Sequence, residues 1–248
     1  MARGLLKSLL LMSLAGLLAE PCTAAGVNLA WDDCPGMGGV SSRAWACDAN
    51  TGVHQLVGSF VGSRDHPGFV GVEVLVDIHS EASALPDWWQ FFNPGSCRRL
   101  ALSVSFDFVA QQNDSCADPW QGLGVGGIAA YHTATTYPPV PDGSPGSARL
   151  MVAAALAEPN PLAAGTEYYC FRLAINHSKT VGTGNCPGCI QPACVRLTQI
   201  KVAENDGGVE WLVSPERTAL VEWQTPATPC ETAQARAPVW RDARSIYR

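Results

Sequence analysis

Short apolar runs separated by turn residues occupy this chain from residue 53 to residue 224. In the run 69–80, FVGVEVLVDIHS, valine recurs at every second position, while Glu73 and Asp77 lie on the opposite side. A period of two residues is typical of a strand that buries one face and exposes the other. The pattern therefore favours strands over helices through most of the chain.

The remaining runs extend the same pattern. The run 100–110, LALSVSFDFVA, predicts a strand that buries every second residue from Leu100 to Phe108. The run 148–157, ARLMVAAALA, has helical propensity, but it is short and bounded by Gly and Pro, so we predict a strand. Regular short strands between Gly/Pro turns predict an all-β fold, a single large antiparallel β-sandwich, Ig-like or jelly-roll-like, of about 8–10 strands.

Three segments follow from composition. Residues 1–25 combine the charged Arg3 and Lys7 with a short apolar core and small residues at the end, which predicts a signal peptide; an uncleaved anchor is the alternative. Residues 26–225 form the predicted sandwich domain, with no transmembrane span. Residues 226–248 form a Pro/Ala/Thr linker and a short helical tail. We therefore expect a secreted or cell-surface protein.

Charge and motif spacing limit the possible functions. The net charge of -6 argues against nucleic acid as a partner. Glu73 and Asp77 share a strand face but stand roughly 13 Å apart along it, too far for a glycosidase acid pair. Neither a metalloprotease His pair nor a G-x-S-x-G elbow occurs. No catalytic residues are predicted, and an enzyme is the less favoured expectation.

Cysteines are the next constraint on the fold. The sequence has ten, and nine follow the predicted signal segment. Export favours disulfides over free thiols, and an odd count leaves one thiol, for which Cys170 inside a strand is our candidate. The predicted disulfide cysteines are Cys34, Cys47, Cys97, Cys116, Cys186, Cys189, Cys194 and Cys230.

Connectivity is not fixed by a sequence, but proximity suggests three pairings. Cys34 and Cys47 bracket one loop, and Cys97 and Cys116 bracket a predicted strand. Cys230, in the linker, is expected to return to the cysteine-rich loop 184–197, GNCPGCIQPACVRL. These disulfides would make a stapled sandwich.

The cysteine-rich loop also permits a metal site. His177, Cys186, Cys189 and Cys194 would supply a Cys₃His set for zinc, although the oxidising compartment favours disulfides instead. A thioredoxin-like redox role for the C-x-x-C pair lacks the βα context that it needs. Asp and Asn in the turns leave calcium as a further alternative. We expect no cofactor, with zinc or calcium as the alternatives.

Aromatic residues are the remaining lead to a ligand. Trp88 and Trp89 in PDWWQFF and Trp120 in DPWQG would stack on sugar rings or anchor a partner protein if they lay on the surface. Adjacent tryptophans more often fill the end of a sandwich than stay exposed. Both interpretations remain open from the sequence.

One stretch resembles a known domain family. Residues 162–175 carry Leu162, Gly165, Thr166 and Tyr168 at the spacing of the L-x-P-G-T-x-Y segment of fibronectin type III domains. In that family the tyrosine hydroxyl bonds the backbone a few residues upstream and forms a corner. The resemblance implies architecture and no activity.

The end of the chain resembles another group. It is similar to the W-x-x-[IV]-[KR]-x-x-Y-R tails that close many secreted bacterial β-sandwich proteins. The matching residues are Trp240, Arg244, Tyr247 and Arg248. The resemblance implies secretion and a sandwich, and it suggests that these tail residues serve as a docking or sorting signal.

The sequence supports three functions. The first is an exported non-catalytic module with a binding, structural or adhesive role at or outside the cell surface, whose partner is a surface protein or a glycan. The second is a carbohydrate-active enzyme or carbohydrate-binding module on a jelly-roll scaffold. The third is a zinc- or calcium-stabilised interaction protein.

Overall fold

The computed structural model describes residues 25–111, 115–136, 140, 143–213, 219–225 and 230. It is a β-sandwich, as predicted. Its strands are β1 (Gly26–Trp31), β2 (Ser42–Arg43), β3 (Val53–Val61), β4 (His66–Ser80), β5 (Leu102–Ser105), β6 (Val125–Thr133), β7 (Ser147–Leu162), β8 (Glu167–Asn176), β9 (Ala193–Glu204), β10 (Val209–Val213) and β11 (Leu220–Trp223). Single turns of 3₁₀ helix lie at Pro35–Met37 and Asp87–Trp89.

The strands form two sheets. One has four strands in the order β1-β3-β8-β5. The other has seven, in the order β2-β11-β9-β4-β7-β6, with β10 pairing the outer half of β9. Every described pair is antiparallel except β2 with β11. The eleven strands exceed our expectation of 8–10 partly because β1 is buried on both faces and so lacks the period-two pattern.

The central strand of the larger sheet is β4, which pairs with β7 on one side and β9 on the other. Val72, Val74 and Val76 are buried between the sheets, as their alternation predicted. The run 148–157 is part of strand β7, so its strand prediction is confirmed and tertiary packing overrides its helical propensity.

The run 100–110 departs from its prediction. Only Leu102–Ser105 is a strand, and Leu100 is 86% exposed. After the strand, the Ser105 hydroxyl accepts a hydrogen bond from the Asp107 N–H, and the Asp107 carboxylate accepts one from the Val109 N–H. Side chains that bond the backbone two residues on favour turns, and they end the strand here.

The fibronectin-like stretch has the hydrogen bond expected of a tyrosine corner. The Tyr168 hydroxyl accepts a hydrogen bond of 2.8 Å from the Ala163 N–H, five residues upstream. The Tyr168 ring packs at 5.8 Å from the Phe60 ring, inside the core. This bond fixes the chain where β7 gives way to β8.

Some predictions fall on other parts of the chain. The signal segment before residue 25 and the tail residues Trp240, Arg244, Tyr247 and Arg248 lie outside the described residues. Among the residues that the structure does describe, no helix is both long and apolar enough to cross a membrane.

Candidate functional site

The solvent side of the seven-stranded sheet carries mainly small and apolar side chains. The solvent side of an antiparallel sheet is normally polar. Strand register aligns its residues in three rows across β10, β9, β4, β7 and β6. We call these rows the apolar face. They are Val209-Ala203-Gly71-Ala155-Val125, then Trp211-Lys201-Glu73-Ala153-Gly127, then Val213-Gln199-Leu75-Met151-Ala130.

The edges of the apolar face carry its most exposed side chains. Val125 is 77% exposed on β6, while Val213 is 60% and Trp211 44% exposed on β10. Leu212, between the last two, points inward and is buried. Strand β10 therefore presents apolar residues to both sides, which a strand with only a structural role does not need.

The centre of the apolar face is a shallow depression of about 370 Å³, lined by Gly71, Val125, Ala203 and residues 153–155 among others. A Cβ atom at Gly71 would lie 2.4 Å from the Ala154 carbonyl oxygen, so only glycine fits there. In the first row, Ala203, Gly71 and Ala155 lie between the larger Val209 and Val125, and these small residues leave the depression.

Charge on the apolar face is confined to one ion pair. Lys201 Nζ lies 2.8 Å from Glu73 Oε1 and 5.6 Å from the centre of the Trp211 ring. Beyond the third row, Arg149 donates two hydrogen bonds of 2.6 Å to the Asp77 carboxylate. The face is thus largely apolar, with one ion pair in its middle row and a second beyond its third row; binding surfaces commonly combine apolar area with polar groups in this way.

The apolar face is large enough to form the core of an interface. Five strands about 4.8 Å apart, each contributing five residues of about 3.4 Å, cover about 400 Å². A largely apolar surface of this size is comparable to the largest apolar patch of a typical monomer, which is often a functional surface.

The predicted ligand-stacking tryptophans lie elsewhere. Trp88, Trp89 and Trp120 are fully buried, so the surface interpretation is wrong for all three. Trp88 stacks on Trp223 with ring centres 5.0 Å apart, and the Trp120 indole N–H donates to the Cys170 carbonyl at 3.1 Å. The three fill the sandwich interior because each apolar ring gains more from burial than from exposure.

The cysteine-rich loop is a disulfide centre. The three disulfides join Cys47 to Cys189, Cys97 to Cys186, and Cys194 to Cys230. Cys230 thus returns to the loop as expected, whereas the pairings of Cys34 with Cys47 and of Cys97 with Cys116 are wrong. The reason is tertiary: the loop packs on the 3₁₀ turn at 87–89, where the Trp88 N–H donates to the Pro187 carbonyl.

The proposed zinc ligands are not brought together as thiolates. Cys186, Cys189 and Cys194 are bonded to three different partners, so none of these sulfurs is free to coordinate a metal. The His177 Nδ1–H donates to the Thr51 carbonyl at 2.7 Å, and its ring stacks on Trp45 at 3.8 Å.

His177 belongs to a cluster of aromatic rings beneath the disulfides. The His54 ring lies 4.5 Å from the His177 ring and 5.0 Å from the Trp223 ring. Burial, with smaller contributions from His177 and Arg43, lowers the pKa of His54 from 6.5 to about 4. His54 Nε2 is buried without a hydrogen-bond partner among the described residues. The cluster therefore keeps His54 neutral near pH 7.

This burial predicts a pH-dependent stability. As the pH falls from 7 to 5, the unfolded chain protonates His54 near its ordinary pKa of 6.5, whereas the folded chain does so only near 4. The unfolded state then binds more protons than the folded state, and this stabilises the unfolded state relative to the folded one. We expect His54 to lower the free energy of unfolding by about 1 kcal/mol over this range, with allowance for partial solvation. Urea titrations at both pH values should show this loss reduced in His54→Gln, and an equal loss in both proteins would contradict it.

A second histidine lies between two carboxylates. His66 is buried, with Nδ1 at 3.2 Å from Glu204 and Nε2 at 2.6 Å from Glu210. Arg64 bonds Glu204 at 2.5 Å. Burial alone would raise the pKa of Glu204, but the hydrogen bonds from Arg64 and His66 hold it below its usual range. Both ring nitrogens are occupied, so this constellation ties the ends of β4, β9 and β10 together and offers no free base.

Comparison with known proteins gives little. No family model matches the chain, and no curated protein matches it. Among solved structures, it is similar to a cohesin module from a family 33 glycoside hydrolase of Clostridium perfringens ATCC13124, with 12% identity and a TM-score of 0.33. That similarity covers 80% of this chain and 94% of the module.

Proposed function

We propose that this chain is an exported, non-catalytic β-sandwich module that binds a protein partner through the apolar face, at or outside the cell surface. The observation that carries the proposal is the set of three register-aligned rows on the solvent side of the seven-stranded sheet. Apart from Gln199 and the Lys201–Glu73 ion pair, the residues in these rows are apolar, although the rows face solvent.

A protein is the occupant that this surface chemistry favours. The interiors of protein interfaces are depleted in charged residues and enriched in aromatic residues and Met, with polar groups around them. The apolar face has Trp211, Met151 and Leu75, and the Asp77–Arg149 pair stands at its border. Its depression fits a convex apolar surface on the partner, and Trp211 is the side chain expected to contribute most to the binding energy.

The catalytic alternative has less support. Glu73 is paired with Lys201 and Asp77 with Arg149, so each strand-face carboxylate has a cation beside it. His66 has both ring nitrogens engaged by carboxylates. His79 Nδ1 lies 2.9 Å from the Ser147 hydroxyl, but that serine is buried, with 5% of its surface exposed. A general base needs a free nitrogen or oxygen within reach of a substrate.

Export is supported by the cysteines. Three disulfides join segments that are 142, 89 and 36 residues apart. Such bonds persist in oxidising compartments and are rare in the cytosol. Together with the predicted signal segment, they support a role at the surface or outside the cell.

Glycan binding is the second candidate, and Trp211 is the observation that favours it. Its ring is 44% exposed, and it lies beside the polar Lys201 and Gln199. An exposed aromatic ring can stack on a sugar. The alanines and glycine of the central depression offer no side-chain hydrogen bonds, so we place a protein first.

The proposal predicts a site-specific crosslink and a loss of binding. A photo-crosslinking residue placed at position 125, which is 77% exposed at the edge of the face, should capture one partner protein in the native host, which is then purified. Ala153→Arg should weaken binding of that purified partner at least about 100-fold, because its long side chain fills the depression and its charge, opposite Glu73, disturbs the Lys201–Glu73 pair. Trp211→Ala should weaken binding about 10-fold or more. Binding is measured by calorimetry with the purified proteins.

The matched control is Ser103→Arg, at an exposed position on the four-stranded sheet, which should leave the affinity unchanged. Equal affinities for the Ala153→Arg and Ser103→Arg proteins would overturn the proposed surface. A glycan array bound by the native chain and not by Trp211→Ala would instead select the second candidate.

A further inference from the structure

Two cysteine thiols meet on the outer side of the four-stranded sheet. Cys34 follows β1, and Cys116 precedes the bridge that joins Ala117 to Tyr168 of β8. Both residues are buried, with 0% and 1% of their surface exposed. They are therefore part of the folded interior although they lie in loops.

The two thiols lie close to each other and to one carboxylate. The sulfurs of Cys34 and Cys116 and a carboxylate oxygen of Glu167 all lie within 4.8 Å of one another. The two loops are also in contact beside the thiols, because a Cβ atom at Gly36 would lie 3.1 Å from the Ser115 Cβ.

Hydrogen bonds hold both loops against β8. The Ala117 N–H donates to the Glu167 carbonyl, and the Tyr169 N–H donates to the Ala117 carbonyl, each at 2.9 Å. On the other loop, the Asp33 carboxylate accepts from the Cys34 N–H at 2.8 Å and from the Tyr169 hydroxyl at 2.7 Å. The thiols are thus placed next to each other by contacts that do not involve sulfur.

Among the cysteines that the structure describes, this is the one further pair that can form. Six are in disulfides, and Cys170 is the third free thiol. Cys170 is fully buried at the irregularity in β8, where Gly58 faces Phe171 and Ser59 faces Tyr169. Its sulfur is not in the group formed by Cys34 and Cys116.

We propose that Cys34 and Cys116 are joined by a fourth disulfide in the oxidised protein, which leaves Cys170 as the one free thiol of the chain after the signal segment. The bond requires the sulfurs to move from within 4.8 Å to about 2.05 Å. The bond joins the segment after β1 to the segment before the Ala117 bridge, and so holds both segments against the outer side of the four-stranded sheet.

The chemistry is thiol–disulfide exchange with a disulfide oxidant, RS–SR. The Cys34 thiolate attacks one oxidant sulfur, forms the mixed disulfide and expels RS⁻. The Cys116 thiolate then attacks the Cys34 sulfur, forms the intramolecular bond and expels the second RS⁻. Two cysteine thiols are oxidised, and the oxidant is reduced to two RSH, which take up the two thiol protons.

Burial of the two thiols determines when the bond forms. Since both sulfurs are buried in the folded chain, the exchange belongs to folding, before the two loops have packed. At that stage the chemistry is the same whichever of the two thiolates attacks first.

Counting thiols tests the proposal. The full chain is exported to an oxidising compartment, purified without reductant, unfolded in guanidinium with iodoacetamide and mapped by peptide mass. Among residues 26–248 we expect Cys170 alone to be alkylated, and one peptide pair to be linked through Cys34 and Cys116. Cys170→Ala should give no alkylated cysteine, while Cys34→Ala should add Cys116 to the alkylated set.

Alkylation of Cys34, Cys116 and Cys170 together in the unmodified chain would overturn the proposal. The same result with one zinc ion released per chain would assign the two thiols and Glu167 to a metal instead. A Cys116→Ala protein that folds and shows Cys34 newly alkylated supports the pairing even if Cys34→Ala fails to fold.

Discussion

Arg98→Met is expected to lower the free energy of unfolding by about 3 kcal/mol or more. Arg98 is 1% exposed and donates from Nε to the Ser178 carbonyl at 3.1 Å and from a terminal nitrogen to the Trp88 carbonyl at 2.7 Å. Its other terminal nitrogen donates to the Asn176 carbonyl. Methionine fills much of the same space but leaves three carbonyl groups without this donor.

The guanidinium also packs on an aromatic ring. Its central carbon lies 3.8 Å from the centre of the Trp88 ring, a distance at which a cation is attracted to the ring face. Burial lowers the pKa of Arg98 to about 9, so the group stays charged at neutral pH. One cation thus joins the 3₁₀ turn at 87–89 to the end of β8 through three backbone carbonyl groups.

Chemical unfolding measures the effect. The control is Arg99→Met, since the neighbouring Arg99 is exposed and its loss should change the free energy of unfolding by less than about 0.5 kcal/mol. Arg98→Lys keeps the charge but not the planar set of donors, and it should fall between the two. Similar midpoints for the Arg98→Met and Arg99→Met proteins would contradict the role given to Arg98.

Removal of the Cys47–Cys189 disulfide is the second large effect. Replacing both cysteines by alanine should lower the free energy of unfolding by about 4 kcal/mol, because the loop that this bond closes is shortened from 142 residues to about 53 by the intact Cys97–Cys186 bond. It also joins the segment around Trp45 to the cysteine-rich loop, where Gln224 donates to the Trp45 carbonyl. Its loss affects both the unfolded and the folded state.

The matched comparison is the double alanine variant of Cys194 and Cys230. That bond closes 36 residues, so the chain-entropy model predicts a loss smaller by only about 0.3 kcal/mol. Both variants are unfolded in guanidinium under non-reducing conditions. Losses that differ by more than about 1 kcal/mol would show that strain or packing, and not chain entropy, decides the stability.

The strands were predictable because their core is formed by alternation within each run. The alternation of Val72, Val74 and Val76 predicts β4 without any information about the strands beside it. The disulfides were not predictable in this way, because Cys47 meets Cys189 only after the sandwich brings distant strand ends together. Proximity along the chain is a poor guide when the closing contacts are non-local.

The apolar face was only partly visible in the sequence. The run 209–213, VEWLV, places Val209, Trp211 and Val213 on one side, and Leu212 on the other shows that the strand has apolar residues on both. The central depression was not visible, because Gly71, Ala155 and Ala203 become neighbours only through the register of three strands. Trp88, Trp89 and Trp120 drew attention instead, although residue type alone does not distinguish a core tryptophan from a surface one.

The Cys194–Cys230 bond also decides how the domain bears a pulling force. A load applied to the chain beyond residue 230 enters the fold through Cys194 at the start of β9 and bypasses the four-residue strand β11. Strand β9 pairs along its length with β4, so the load is resisted in shear by many hydrogen bonds at once. The bond therefore transmits a force applied beyond residue 230 to the long strand β9 and not to the short strand β11.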